Sequence, residues 1–482
     1  LAAWRGTLVP AWSGALAPAT EARCFEVEKP GGLAHARDAL DTLARRHPAR
    51  LALATFAAVV VLVTVLLSFP WATASGTRAP LVDALFTATS AVCITGLTVV
   101  DTATYWSGWG QVVILAGIQV GGFGIMTLAS ILGFAVSGRL GLTQRMLTAS
   151  ETKTTRLGEV GSLVRAVIAT SLVVEAVLVV VLFPRFLALG QNVGEALWNA
   201  VFYGISIFNN AGFVNTPDGL YPYVGDAWIN FPVVIGAFIG ALGFPVILVL
   251  ARSWRSPKTW TLHAKITLTT SAALAVVGMV VIGALEWSNP RTFGSLPISD
   301  RILASIMAGV TPRSSGFATV DVGEMREATW LLQDALMFVG GGSASTGGGI
   351  KVTTLAVMLL AIGAEARGDR DVDAFGRRIP SETLRLAVAV TFIGATAVLI
   401  ASLLLLSMTD LRLDVVLFEV ISAFATCGLS TGITPSLPDE AKYVLSGLMF
   451  AGRTGTMTVA AALAARSRLR VIRQPEERPI IG

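Results

Sequence analysis

Four short stretches of this chain end in a glycine followed by Leu or Phe. They read TSAVCITGLT around Gly96, GISIFNNAGF around Gly212, MAGVTPRSSGF around Gly316 and ISAFATCGLST around Gly428. The glycines are 116, 104 and 112 residues apart, a nearly constant period that marks an internal repeat. Glycine tolerates the dihedrals that turn successive carbonyls one way. Rings of such carbonyls replace the hydration shell of an ion such as K⁺. One glycine alone reads as a helix C-cap before an ordinary loop. Four in register favour cation coordination instead. Two other features carry chemistry: the glycine-rich FVGGGSASTGGGIKVTT and an arginine, Arg453, inside the apolar MFAGRTGTMT.

These stretches must be held by something. The 482 residues are 54% hydrophobic and only 14% charged, with a mean hydropathy of +0.69. Soluble domains carry about 25% charged residues, so the balance points to a polytopic membrane protein. Apolar runs recur near 51–69, 111–136, 163–188, 229–251, 265–285, 352–363, 385–407 and 443–465. The segment before Gly96, Leu81 to Cys93, is too short to cross, because a span needs about 20 apolar residues. Non-helical backbone at membrane depth survives only inside protein or beside a watery cavity. The expected fold is therefore an all-α integral membrane protein. It has four tandem helix–pore-helix–filter-loop–helix repeats around a central pore, with eight transmembrane helices and four re-entrant pore helices. The repeats cover 49–138, 160–255, 262–365 and 383–468. Residues 1–48 read as a poorly ordered cytoplasmic extension and 469–482 as a cytoplasmic tail.

Basic residues set the orientation. Arg45, Arg46 and Arg50 precede the first span, and further groups follow every second span: Arg139 to Arg165, Arg252 to Lys265, Arg367 to Arg385, and Arg466 to Arg478. Intervening loops such as NTPDGLYPYVGDAWIN have no Lys or Arg. Both termini are thus expected in the cytoplasm, and all four repeats in one orientation. Four pore helices would aim their negative C-terminal ends at one axis, which favours a cation.

Together with QVGGFGIMTL and the motifs quoted above, the sequence resembles the Trk/Ktr/HKT superfamily of potassium transporters, most closely the Ktr-type membrane subunit, from about residue 48 to 468. Trk-type subunits carry two further N-terminal spans. The resemblance implies a K⁺ selectivity filter made of Ile94, Thr95, Gly96 and Leu97; Asn210, Ala211, Gly212 and Phe213; Ser314, Ser315, Gly316 and Phe317; and Thr426, Cys427, Gly428 and Leu429. A serine at the first filter glycine goes with sodium selectivity in the plant branch, so Gly96 favours potassium. Asn209, Asn210, Ser314, Ser315 and Thr426 have a second possible role as pore-helix caps.

Six glycines within residues 340–349 would each weaken a helix by about 1 kcal/mol. The resemblance makes this stretch a mobile intramembrane gating loop: Gly340, Gly341, Gly342, Ser343, Ala344, Ser345, Thr346, Gly347, Gly348 and Gly349, ending at Lys351. It is no nucleotide P-loop, since Lys351 follows Ile350 rather than glycine. Arg453 is a pore-facing charge below the filter, or else pairs with a carboxylate or helix end. Glu175 and Glu286, in or near spans, receive no role. Cys93 and Cys427 read as small packing residues.

The expected function is K⁺ uptake across the cytoplasmic membrane, with Na⁺ as an activating ion. The alternatives are Trk-type transport linked to H⁺ or Na⁺, and a secondary carrier of a small solute. An enzyme is not expected, because the spans hold no carboxylate, His or Ser constellation. No organic cofactor, zinc site or nucleic-acid partner is expected, the one metal ion being K⁺ at the filter carbonyls; the basic residues suit lipid head groups. The resemblance further implies a homodimer on a cytosolic nucleotide-binding ring of the KtrA/TrkA kind.

Overall fold

The computed structural model describes residues 48–137 and 160–465. The expected extension at 1–47, residues 138–159 with Arg139 to Arg156, and residues 466–482 lie outside the described residues. In chain order, four long helices are each followed by a short helix, a glycine and an inner helix. The first quarter has α1 (Pro48–Leu67), α2 (Leu81–Val92) and α3 (Gly108–Ser137). The second has α4 (Val160–Ala188), α5 (Val193–Phe208) and an inner helix in two pieces, α6 (Ala227–Leu242) and α7 (Phe244–Ser253). The third has α8 (Leu262–Glu286), α9 (Ile298–Val310) and a divided inner helix, α10 (Glu327–Phe338) and α11 (Val352–Arg367). A hairpin, β1 (Val372–Ala374) with β2 (Arg377–Ile379), leads to α12 (Ser381–Met408), α13 (Leu413–Ala425) and α14 (Asp439–Ala465).

Three described helices are long and apolar enough to cross a membrane, within α4, α8 and α12, and α6 with α7 makes a fourth if a bend of 103° is allowed. The third inner helix is divided by its glycine run into α10 and α11, each too short to cross alone. The long helices turn apolar side chains outward, such as Val173, Val180, Val276, Val280, Phe392 and Leu403. That is what a lipid-facing helix requires. Exposed Trp71, Trp109, Trp228 and Trp287 sit at one end of the helices and Trp254 at the other, as an interfacial belt would.

Glycine seats the inner helices. Gly121, Gly240 and Gly452 lie directly on the carbonyls of Val92, Phe208 and Phe424, at the ends of α2, α5 and α13, where a Cβ would collide. Small residues allow this approach where helix pairing has no hydrophobic drive. The all-helical expectation needs one correction. Residues 372–379 form an antiparallel hairpin whose turn, Phe375–Gly376, has φ of +52° and +74°. Such a turn matches strand twist. Ala374 and Ile379 pack onto Ala356, Val357 and Ala387, which holds the hairpin across α11 and α12.

Candidate ion-conducting site

Each short helix carries one acid in its first turn, Asp83, Glu195, Asp300 or Asp414, and no base in its last. The acids complement the positive N-terminal ends, while the negative C-terminal ends stay uncompensated. Beyond each C-terminus the backbone repeats one conformation. Ile94, Asn210, Ser314 and Thr426 have φ of +57°, +57°, +67° and +46°, and Gly96, Gly212, Gly316 and Gly428 have +90°, +69°, +67° and +97°. The residue after each glycine, Leu97, Phe213, Phe317 or Leu429, is buried and anchors its loop in the core.

The four loops close on one another. A Cβ on Gly96 would lie 2.5 Å from the Ala211 oxygen and 3.0 Å from the Gly212 Cα. One on Gly212 would lie 3.0 Å from the Ser315 oxygen; one on Gly316 would strike the Cys427 oxygen, and one on Gly428 the Thr95 oxygen. The contacts run from the first quarter to the second, third and fourth, and back to the first. Every glycine therefore abuts the carbonyl that precedes the next glycine. Nearby, Thr95 Oγ1, Asn210 Oδ1 and Thr426 Oγ1 are buried without a hydrogen-bond partner. A buried oxygen without a donor calls for an explanation, and these oxygens suit a cation. The Asn209 side chain caps α5, its Nδ2 donating to Ile205 O at 2.9 Å.

The segment 340–349 lies against this ring. Gly348 sits on Thr426 Oγ1, and Gly347 faces the Ser314 Cβ, 3.2 Å from where its own Cβ would be. Asn210 Nδ2 donates to Thr346 Oγ1 at 2.7 Å. Across the break in the second inner helix, Gly342 N–H donates to Ala241 O at 2.7 Å and Phe244 N–H to Ala344 O at 3.1 Å. Lys351 Nζ donates to Gly347 O at 2.6 Å. The glycines serve close approach: at 340, 341, 342 and 348 a Cβ would meet backbone or hydroxyl oxygens. Of residues 340–349 only Ala344 and Gly349 have positive φ. Mobility was the sequence-based reason for this composition, and contact is the structural one.

Arg453 is buried, and one guanidinium N–H donates to Thr346 O; its Nε and the other terminal nitrogen have no partner. No carboxylate or helix end takes it among the described residues. It aligns by motif with Gly122, Ala241 and Gly341, each one residue past the seating glycine of its inner helix, or in the third quarter past Gly340. The sequence reading missed Arg313, two residues before Ser315. Its guanidinium donates to Ser271 O and lies 5.6 Å from the Phe238 ring. Its signal was a charge inside an apolar half-span, the same signal that marked Arg453. Glu286 accepts from Asn289 Nδ2 (2.7 Å), Thr292 Oγ1 (2.6 Å), Arg326 N–H (2.9 Å) and Thr329 Oγ1, tying the end of α8 to the start of α10. Glu419 likewise holds Ser430, Thr431 and Thr434, just past the fourth loop. Cys93 and Cys427 are free and buried.

A family model described as a cation transport protein, TrkH, matches residues 32–468. The chain belongs to the TrkH family of cation transport proteins. It is thereby an integral membrane transporter. Among TrkH-family relatives, the chain is 37% identical to the Ktr system potassium uptake protein B of Bacillus subtilis (strain 168), covering 84% of this chain and 90% of that one. It is 36% identical to the protein of the same name from Vibrio alginolyticus, covering 90% and 94%. A potassium/sodium uptake protein, NtpJ, of Enterococcus hirae is 32% identical, covering 91% and 98%. The fold is similar to the crystal structure of the potassium transporter TrkH from Vibrio parahaemolyticus, with a TM-score of 0.67 at 20% identity over 84% of this chain and 83% of that one.

Proposed function

We propose that this chain takes up K⁺ across the cytoplasmic membrane, as the ion-translocating subunit of a Ktr-like system. The closed ring of Gly96, Gly212, Gly316 and Gly428 carries the reading. In it the carbonyls of Thr95, Ala211, Ser315 and Cys427 take over from water around a dehydrating K⁺. The acid-started short helices add negative potential at their inner ends. The relatives named as Ktr potassium uptake proteins support K⁺ as the ion.

In this reading four repeats surround one pore, with eight crossing helices and four re-entrant ones. The basic end, with Arg252, Arg255, Lys258, Arg370 and Arg378, faces the cytoplasm, following the bias of inner loops. The segment 340–349 is the gate beneath the filter, and Arg453 limits the passage of cations there. A homodimer binds a cytosolic nucleotide-binding ring, a reading supported by the word "system" in the relatives' names. Na⁺ activates transport. The likeness to the potassium/sodium uptake protein supports a second reading, in which Na⁺ is itself carried.

The test is ion uptake in cells that lack their own K⁺ uptake, with and without a candidate regulator and Na⁺. Growth at low K⁺ with saturable K⁺ uptake is the expected result. Uptake of Na⁺ or an organic solute without K⁺ would overturn the reading.

A further inference from the structure

We propose that Glu175 is a positioning residue that sets the preference of the filter for K⁺ over Na⁺, by fixing its second quarter from behind. The proposal rests on the filter reading given above. Glu175 lies on α4 and is 4% exposed. Its two carboxylate oxygens accept from Gln119 Nε2 of α3 at 3.0 and 3.1 Å. One of them also accepts from Asn209 Nδ2 at 3.1 Å. Asn209 Nδ2 faces Gln119 Oε1 as well, at 3.3 Å, and the carbonyl of Ile205 at 2.9 Å. The result is a closed triangle of side chains on three helices from two quarters.

Asn209 is the C-cap of α5, and the next residue, Asn210, starts the second filter segment. The far side of its amide is packed rather than bonded: Asn209 Oδ1 has no hydrogen-bond partner and rests on Gly122, where any Cβ would collide. The three acceptors around Nδ2 and the packing on Gly122 restrain its rotation. A carboxylate suits the centre because it only accepts, and both neighbours offer amide N–H groups. Glutamine there would set N–H against N–H unless Gln119 turned over and withdrew its oxygen from Asn209. In a bilayer no water repairs such a mismatch.

The ring transmits the consequence. The second quarter makes two of its four joints, Ala211 O against Gly96 and Gly212 against Ser315 O. A shift at Asn209 therefore loosens half of the ring and displaces carbonyls whose number and placement around the ion enter either account of K⁺ over Na⁺ discrimination. The residues placed like Asn209 in the other quarters are Cys93, Arg313 and Ala425. Of these Arg313 is tied by a side-chain hydrogen bond to a long helix, through Ser271 O. Two adjacent quarters are thus anchored by opposite charges, and substitution of either should act on selectivity.

The experiment compares Rb⁺ with Na⁺ uptake in proteoliposomes holding the full chain as parent, Glu175→Gln, Glu175→Ala, the exchange Gln119→Glu with Glu175→Gln, and Gly96→Ser. Glu175→Gln should lower the Rb⁺/Na⁺ uptake ratio about three- to tenfold, the scale of one lost hydrogen bond. Glu175→Ala should do at least as much. The exchange restores one acid and one amide to the triangle and should return the ratio to within about twofold of the parent. If Gly96→Ser shifts the ratio while Glu175→Gln leaves it unchanged, or slows both ions equally, the proposal fails and the filter reading survives. If no variant, Gly96→Ser included, moves the ratio, the filter reading fails and takes the proposal with it. Should Glu175→Ala not assemble, the isosteric Glu175→Gln and the exchange decide alone.

Discussion

Gly96 has two constraints that any other residue would break. Its φ of +90° is strained for a residue with a Cβ, and that atom would lie 2.5 Å from the Ala211 oxygen. Gly96→Ser should therefore cost about 1–3 kcal/mol of stability and push the Ala211 carbonyl out of the ring. Relative Na⁺ permeation should rise; an unchanged Na⁺/K⁺ uptake ratio in well-expressed protein would sink the assignment. Arg453 makes a different prediction. Replacement by Gln keeps a donor for Thr346 O while removing the charge. If Arg453 faces the ion path as proposed, the initial rate of K⁺ uptake should then rise, with selectivity kept, because a buried cation there opposes passage. A variant that transports like the parent would make the arginine structural.

The element proposed as the gate is the segment between α10 and α11. It is held by Asn210, by the break at Gly243 and by Arg453 and Lys351, so a closed arrangement has several separable restraints. A regulator shifts such an equilibrium only by binding its two states unequally. Removing residues 343–348 deletes the carbonyls that Arg453 and Lys351 hold. Flux measurements should then find fast K⁺ uptake independent of the cytosolic partner, with the filter preference intact. Loss of transport in folded protein, or retained partner dependence, would make the segment scaffolding. Gly243→Ala is a milder probe. Its φ is +90° and its Cβ would lie 2.5 Å from Ser343 O, so it pries the segment from the second inner helix. Partial loss of partner dependence is expected.

For the whole molecule, the fourth quarter must meet the first if the ring is to close. One ion pair makes that joint outside the filter: Lys442 Nζ of α14 reaches Asp83 of α2 at 3.2 Å, with side chains only 11% and 17% exposed. Removing one partner leaves the other charge nearly buried. Lys442→Met should cost about 1–3 kcal/mol, below the cost for a fully buried pair because some solvent remains. Thermal unfolding in detergent measures it, and adding Asp83→Asn should restore much of the loss. Full stability in Lys442→Met would mean that the joint rests on packing alone.

How much could be read beforehand depends on range along the chain. The glycine period, the short apolar segments and the basic loops are local patterns, and the sequence by itself determined the membrane class, the mainly helical architecture and the four short segments that end in a glycine. Gly96 and Arg453 were legible because a breaker or a charge inside an apolar run has no cheap structural excuse. The hairpin at 372–379 was missed, since its strands are three residues each and carry no period. Glu175 was visible as a buried acid, but its partners Gln119 and Asn209 lie 56 and 34 residues away. Only the tertiary structure decided that the four glycines touch in a ring, and that the segment at 340–349 is rich in glycine for contact as well as for breaking a helix. Hydrogen bonds and close packing act over a few ångströms, so residues far apart in sequence acquire these roles only once the helices have packed.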